Sequence, residues 1–178
     1  MDRGPYCQPR DAGVSAGPIP ALAEIAERRR TMARVGHLVR RKQVEIERAV
    51  RLLRVHFIDR RSRAPKRGTI HRIMLVGPFA RPRARPDRET GDVNDYDIWA
   101  FVDHRAYKGM NRYWGLARRV VASSLRGRAT ITLSVFTIDE IERLRAAGNR
   151  FLTDQYDGGV VLYDRADAMS EEGRDGRL

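Results

Sequence analysis

The chain has 178 residues, of which 42% are hydrophobic, so it is long enough to bury one sizeable core as a soluble globular protein. No apolar run approaches the ~20 residues that a membrane-spanning helix needs, and we expect no membrane partner. The N-terminus lacks the apolar stretch of a secretory signal, and the single cysteine, Cys7, gives no disulfide framework. These features predict a cytoplasmic protein.

The net charge of +12 is distributed unevenly along the chain. Residues 1–72 contain 18 Arg and Lys against 7 Asp and Glu, whereas residues 73–178 contain 17 against 16. The excess in the N-terminal region favours contact with RNA, with another nucleic acid or with an acidic protein. Because nearly all of the positive residues are arginine, a compositional bias is the slightly simpler explanation.

Local composition divides the chain into four regions. From the N-terminus they are a disordered tail at 1–20, a basic helical region at 21–66, a strand-containing domain at 67–164 and a polar tail at 165–178. In the helical region, apolar residues recur at helical spacing from Ile46 to Phe57. A break in the helix is expected near Gly36.

The strand-containing domain alternates apolar runs with helical patterns. The runs predict strands at 71–76, 96–102, 130–136 and 160–163. A helix is predicted near 110–125, and Thr137 with Glu140 forms a capping box that begins another helix, which ends near Gly148. The order predicts an α+β fold in which a mixed β-sheet is flanked by helices.

The stretch from 73 to 103 contains the residues most informative about chemistry. An apolar run ends at Gly77, and a basic, proline-rich loop leads to Asp95 and Asp97 at the entrance of the next strand. Two carboxylates separated by one residue on a strand point to the same side of the sheet. Such a pair repels itself unless a cation lies between the oxygens, and Mg²⁺ prefers oxygen ligands of this kind. The pair therefore predicts a magnesium site that could hold a nucleoside triphosphate.

The elements VGPFARP and, after the loop, DYDIWAFVD resemble the minimal nucleotidyltransferases of the DNA polymerase β superfamily. More narrowly, about 41–164 resembles the catalytic half of bacterial proteins that fuse a nucleotidyltransferase domain to a helical HEPN domain. The resemblance implies a polymerase β-like nucleotidyltransferase fold over 67–164, with Mg²⁺ bound by Asp95 and Asp97. It implies transfer of a nucleoside monophosphate, with AMP from ATP favoured, to a protein or RNA hydroxyl. A HEPN-type partner and a toxin–antitoxin setting are implied as well.

The resemblance also implies which residues contact the nucleotide. Gly77 would let the main chain approach the phosphates, so that the amides after it cradle them. Pro78 occupies the position of the family's serine. Arg81 is the best placed of the loop arginines, only four residues beyond the glycine, to grip triphosphate oxygens with its guanidinium fork.

Three departures from the family pattern argue against efficient turnover. Pro78 replaces a serine, Pro82 replaces a glycine, and Thr132 stands where active members carry a third carboxylate. Asp92 or Asp103 could in principle supply that carboxylate. The alternative function is therefore a catalytically weak module that binds a nucleotide or a partner and acts in regulation. A third is an RNA-binding adaptor that uses the N-terminal helix.

Overall fold

The computed structural model describes residues 20–61, 69–82, 95–126 and 129–167. The tail predicted to be disordered, nearly all of the polar C-terminal tail and the long loop before Asp95 lie outside these residues. No helix in the described parts of the chain is long and apolar enough to cross a membrane.

The predicted helices and strands are present in the predicted order, and two short helices at Arg105–Lys108 and Arg150–Asp157 are additional. The helices are α1 (Pro20–Arg34), α2 (Arg40–Arg61), α3 (Arg105–Lys108), α4 (Asn111–Ser124), α5 (Ile138–Ala146) and α6 (Arg150–Asp157), and a short 3₁₀ turn covers Pro78–Ala80. The strands are β1 (Ile70–Val76), β2 (Asp95–Val102), β3 (Thr130–Thr137) and β4 (Val160–Asp164). The expected break near Gly36 is confirmed, because α1 ends before it and α2 begins after it.

The four strands form one sheet in the order β3-β2-β1-β4. β1 is antiparallel to both β2 and β4, whereas β2 and β3 are parallel. The predicted α+β class, a mixed sheet flanked by helices, is confirmed. Because β1 and β2 are antiparallel neighbours, the C-terminal end of β1 lies beside the N-terminal end of β2.

One face of the sheet packs against α1, α2 and α4 around the larger core. Leu53 from α2, Ile98 from β2 and Val121 from α4 are almost completely buried in the same cluster. The basic helices therefore share a single apolar core with the strands. Burial of this surface, at roughly 25 cal/mol per Å² of apolar area, is the main contribution that holds them there.

The opposite face of the sheet packs against α5 and α6 around a smaller core. Its buried members are Met74, Val76, Trp99, Phe101 and Ile141. The predicted helix start is confirmed, since Thr137 Oγ1 accepts a hydrogen bond from the Glu140 amide at 3.3 Å. The Glu140 carboxylate pairs with Lys108, so the reciprocal bond of a capping box is not shown. Helix α6, which lies between α5 and β4 along the chain, is not predicted from the sequence.

Candidate functional site

Asp95 and Asp97 open β2 and point away from the larger core. Tyr96, between them, is fully buried on the α2 face, so the two carboxylates lie on the α5–α6 face by strand alternation. In the register of the sheet, Asp97 is paired with Val76 of β1 and with Thr132 of β3. The acidic pair therefore lies at the end of the sheet where β1 stops and β2 starts, as the sequence predicts.

Gly77 meets Asp97 directly. Its φ of 72° lies in the left-handed region that favours glycine, and an ideal Cβ built on it would come within 2.5 Å of Asp97 Oδ2. The carboxylate thus occupies the space in which any other residue would place its side chain. The strand-ending glycine and one member of the acidic pair, Asp97, are therefore in direct contact.

The electrostatics of the pair are unfavourable without a cation. Burial, and then the charge of Asp95, raise the pKa of Asp97 above its ordinary value. Asp95 is partly satisfied, because its Oδ1 accepts a 2.6 Å hydrogen bond from Thr130 Oγ1. A divalent cation beside the two carboxylates would remove the repulsion that raises the pKa of Asp97.

The donor set fits Mg²⁺ in part. The described residues contain no group of three or more His, Cys, Asp or Glu side chains that could hold a metal ion. Two carboxylates suffice for Mg²⁺ when water and substrate phosphates complete the octahedron, as they commonly do. Asp95 and Asp97 are thus suited to a cation that arrives with a nucleotide rather than to a permanent metal centre.

No third carboxylate accompanies the pair among the described residues. Thr132 is exposed beside Asp97, at the position where the family resemblance leads one to expect an acid. Asp103 cannot replace it: it follows the far end of β2, about 20 Å from Asp97 along the strand. Its carboxylate instead accepts the amide of Thr69 at 3.0 Å. Asp92 lies outside the described residues.

The backbone after Gly77 forms a 3₁₀ turn rather than an open phosphate cradle. Pro78 has no N–H, and the amides of Ala80 and Arg81 donate back to the carbonyls of Gly77 and Pro78, each at 3.2 Å. The expected contribution of these amides to phosphate binding is therefore reduced. Arg81 is exposed where the turn ends, and within the described residues no ion pair engages it.

Gln155 of α6 is a site residue that the sequence does not reveal. The Gly77 amide donates a 2.9 Å hydrogen bond to its Oε1. A phosphate oxygen at this amide would have to displace the side chain of Gln155. No local signal marks the residue, since the contact joins positions 78 residues apart and α6 is itself not predicted.

The start of α2 is fastened to the same end of the sheet. The Tyr96 hydroxyl donates a 2.7 Å hydrogen bond to Glu45 Oε2, and burial together with this bond raises the pKa of Tyr96. His37 Nε2 lies 2.9 Å from the backbone carbonyl oxygen of Phe79. Lys42 Nζ lies over the Phe79 ring, 4.3 Å from the ring centre, in a cation–π contact. These contacts hold the turn after Gly77 against the helix.

Comparisons with models of protein families, with curated proteins and with solved structures find no match to this chain.

Replacing Asp97 by Asn should stabilise the fold at neutral pH. Because the folded chain has the higher Asp97 pKa, it binds the proton more tightly, and stability is lost as pH rises from the unfolded pKa through the folded one. The loss is absent below the ordinary pKa of aspartate, about 3.9, and grows as the pH rises from there toward 7. We expect Asp97→Asn to raise Tm at pH 7 by about 1–2 °C, a small effect because water screens the half-exposed carboxylate.

Thermal unfolding followed by circular dichroism at about pH 3 and at pH 7 checks this expectation. Asp103→Asn is the control, since its carboxylate accepts a backbone amide and its neutralisation should not raise Tm. A decrease in Tm for Asp97→Asn at pH 7 would contradict the repulsion argument.

Proposed function

We propose that this chain transfers a nucleoside monophosphate, AMP from ATP in the leading case, to a hydroxyl group of a protein or an RNA. The observation that supports it most directly is the contact of Gly77 with Asp97, in which an ideal Cβ would lie 2.5 Å from the carboxylate. It joins a strand-ending glycine to a pair of acidic residues. The antiparallel β1–β2 pair with β3 parallel to β2 supports a polymerase β-like nucleotidyltransferase fold.

Asp95 and Asp97 would hold Mg²⁺, which when bound neutralises triphosphate charge and orients an in-line displacement. Thr130 fixes the orientation of the Asp95 carboxylate through its 2.6 Å hydrogen bond. Gly77 keeps side-chain atoms away from Asp97, so that the phosphates can approach. Arg81, exposed at the end of the turn, would bind phosphate oxygens with its guanidinium fork.

A second candidate is a nucleotide-binding or partner-binding regulatory module with weak turnover. Thr132 lies beside Asp97, and a threonine hydroxyl cannot accept a proton from an attacking hydroxyl as a carboxylate does. Pro78 and the internally bonded amides of the turn further reduce the hold on the phosphates. A HEPN-type helical partner and a toxin–antitoxin setting belong to the proposal through the family resemblance alone.

Incubation of the purified chain with α-labelled nucleoside triphosphates and a cell extract tests the transfer. We expect label to appear on a protein or RNA band in the presence of Mg²⁺, most strongly from ATP, and to be absent when EDTA is added. Asp95→Asn should remove the label, whereas Asp103→Asn should retain it. Binding of ATP without any transfer would support the regulatory module in place of the enzyme.

A further inference from the structure

The fold sorts charge onto its two helical faces. The stretches 40–55 in α2 and 111–126 in and after α4 contain ten Arg and Lys against two Glu. The stretch 138–157, which spans α5 and α6, contains three Arg against five Asp and Glu. The first set covers one face of the sheet and the second covers the other. Residues 73–178 contain 17 Arg and Lys against 16 Asp and Glu, and this near-neutral net charge does not reveal that the basic α4 lies on one face and the acidic α5 and α6 on the other.

The helix α4 extends the basic surface beyond the N-terminal region. Its buried residues Tyr113, Ala117 and Val121 fasten it beside α2. Four exposed arginines follow its outer side: Arg112, Arg118, Arg119 and Arg126. Positions 111–126 have no acidic residue, and none of the four arginines makes an ion pair with another described residue.

The two acids within residues 40–55 of α2, Glu45 and Glu47, do not neutralise this surface. The Glu45 side chain is only 12% exposed, and its oxygens accept from Tyr96 and Arg41. The Glu47 side chain is 6% exposed and lies 3.6 Å from two arginines of α1 and α2. Arg48 is exposed, and no described acid pairs with it. The outward surface of α2 therefore remains basic.

We infer that the outer surface of α2 and α4 binds the phosphate backbone of a nucleic acid. This arginine face consists of Arg40, Arg48, Arg112, Arg118, Arg119 and Arg126. Guanidinium forks match phosphate oxygens in pairs, and a field of several uncompensated charges attracts a polyanion by releasing its counterions. The acidic α5–α6 side orients the molecule so that this face approaches the backbone first.

Other anionic partners fit the arginine face less well. A membrane surface needs apolar side chains that enter the lipid, and an acidic protein needs buried apolar anchors. Within residues 111–124 of α4 no large hydrophobic side chain is exposed, and within residues 39–55, in and just before α2, the only exposed ones are Val39 and Val55. A nucleic acid backbone needs charge and hydrogen-bond donors, which this surface supplies.

The arginine face reaches the end of the sheet that carries the acidic pair. α2 begins beside the turn after Gly77, and the segment after α4 leads into Thr130, the hydrogen-bond partner of Asp95. A bound strand could therefore lie next to the proposed transfer site. The binding itself needs neither Mg²⁺ nor a nucleotide, so the inference does not depend on the proposed function.

Fluorescence anisotropy with a labelled 20-nucleotide RNA, the full chain and EDTA tests the inference. For about five phosphate contacts we expect the plot of log K against log salt to have a slope of about −3.5, or a loss of about 100-fold between 50 and 200 mM KCl. The triple variant Arg48→Gln/Arg118→Gln/Arg119→Gln should reduce the slope by about 2 and weaken binding at least about tenfold at 100 mM.

The matched control neutralises three exposed arginines that lie elsewhere, in Arg105→Gln/Arg143→Gln/Arg150→Gln. It has the same net charge and should weaken binding less than about threefold. Equal losses of RNA affinity in the two triple variants would show that net charge alone attracts the RNA. That result would overturn the proposal that the arginine face binds it. Circular dichroism verifies folding, and Arg118→Gln/Arg119→Gln replaces the triple variant if that variant is unfolded.

Two further arms define the ligand. Single-stranded DNA of the same sequence should bind comparably if the backbone alone is recognised, and clearly more weakly if ribose hydroxyls contribute; both results retain the arginine face. Binding to phosphatidylserine vesicles without binding to RNA would overturn it. Asp97→Asn should bind RNA like the wild type, so failure of the nucleotide site and failure of this surface are separable.

Discussion

Gly77→Ala should unfold about 4–16 °C below the wild type and lose Mg²⁺-dependent ATP binding. Gly77 has φ 72° and ψ −158°, a region used almost only by glycine, where an alanine costs about 1–3 kcal/mol in backbone strain. The new Cβ would also lie 2.5 Å from Asp97 Oδ2. The carboxylate or the turn has to shift, which adds about 1 kcal/mol and moves a proposed metal ligand. In a chain of this length, each kcal/mol lowers Tm by about 2–4 °C.

Gly148→Ala is the matched control for this substitution. Gly148 has a φ of 76°, yet a Cβ on it would meet nothing within 4 Å. It should therefore lower Tm by about 2–8 °C through backbone strain alone and leave ATP binding unchanged. In the double variant Gly77→Ala/Asp97→Ala, the absent carboxylate leaves room for the new methyl group, so the stability loss should be smaller than for Gly77→Ala. Identical behaviour of the two single glycine variants would contradict the close contact.

The parts of the fold that depend on local pattern could be predicted from the sequence. The first strand was expected at 71–76 and runs from Ile70 to Val76, because its apolar run ends at a glycine and a proline cannot continue it. The second begins one residue earlier than expected, at Asp95. Alternation along this strand then sets Asp95 and Asp97 on one side, which requires no tertiary information.

The parts that depend on tertiary contact could not be predicted. Helix α6 has only eight residues, too few to be stable in isolation, and it forms because Leu152 and Tyr156 pack on the smaller core. Gln155 is brought to Gly77 only through that packing. The arginine face also escapes a linear charge count, because α4 contributes to the basic side while α5 and α6 contribute acids to the other.

Asp97 has a property that distinguishes it from residues that only stabilise the fold. Its carboxylate is held where burial and the charge of Asp95 disfavour ionisation. This arrangement does not stabilise the protein without a ligand. Carboxylates with a perturbed pKa cluster at functional sites, although ion-pair networks perturb pKa values too.

Asp97→Asn should weaken Mg²⁺-dependent ATP binding by at least about 100-fold, although it should raise Tm at pH 7. The amide keeps the shape of the side chain and removes its charge. Changing a residue that only supports a metal ligand costs roughly 10–100-fold in metal affinity, so the loss of a ligand itself should cost at least that much. Isothermal titration with ATP, in Mg²⁺ and in EDTA, measures the effect. The wild type in EDTA should bind ATP as weakly as the variant in Mg²⁺.

A higher Tm together with weaker ATP binding in Asp97→Asn distinguishes a ligand-binding role of the carboxylate from a structural one. A structural carboxylate would lose stability when neutralised, as we expect for Asp103→Asn, which should still bind ATP like the wild type. A purely incidental carboxylate would change neither quantity. Only a group held in place for a cation gains stability and loses the nucleotide together, because the cation supplies the attraction that the bare pair lacks. Equal ATP affinity of Asp97→Asn and the wild type in Mg²⁺ would exclude Asp97 as a metal ligand, and with it the proposed transfer chemistry.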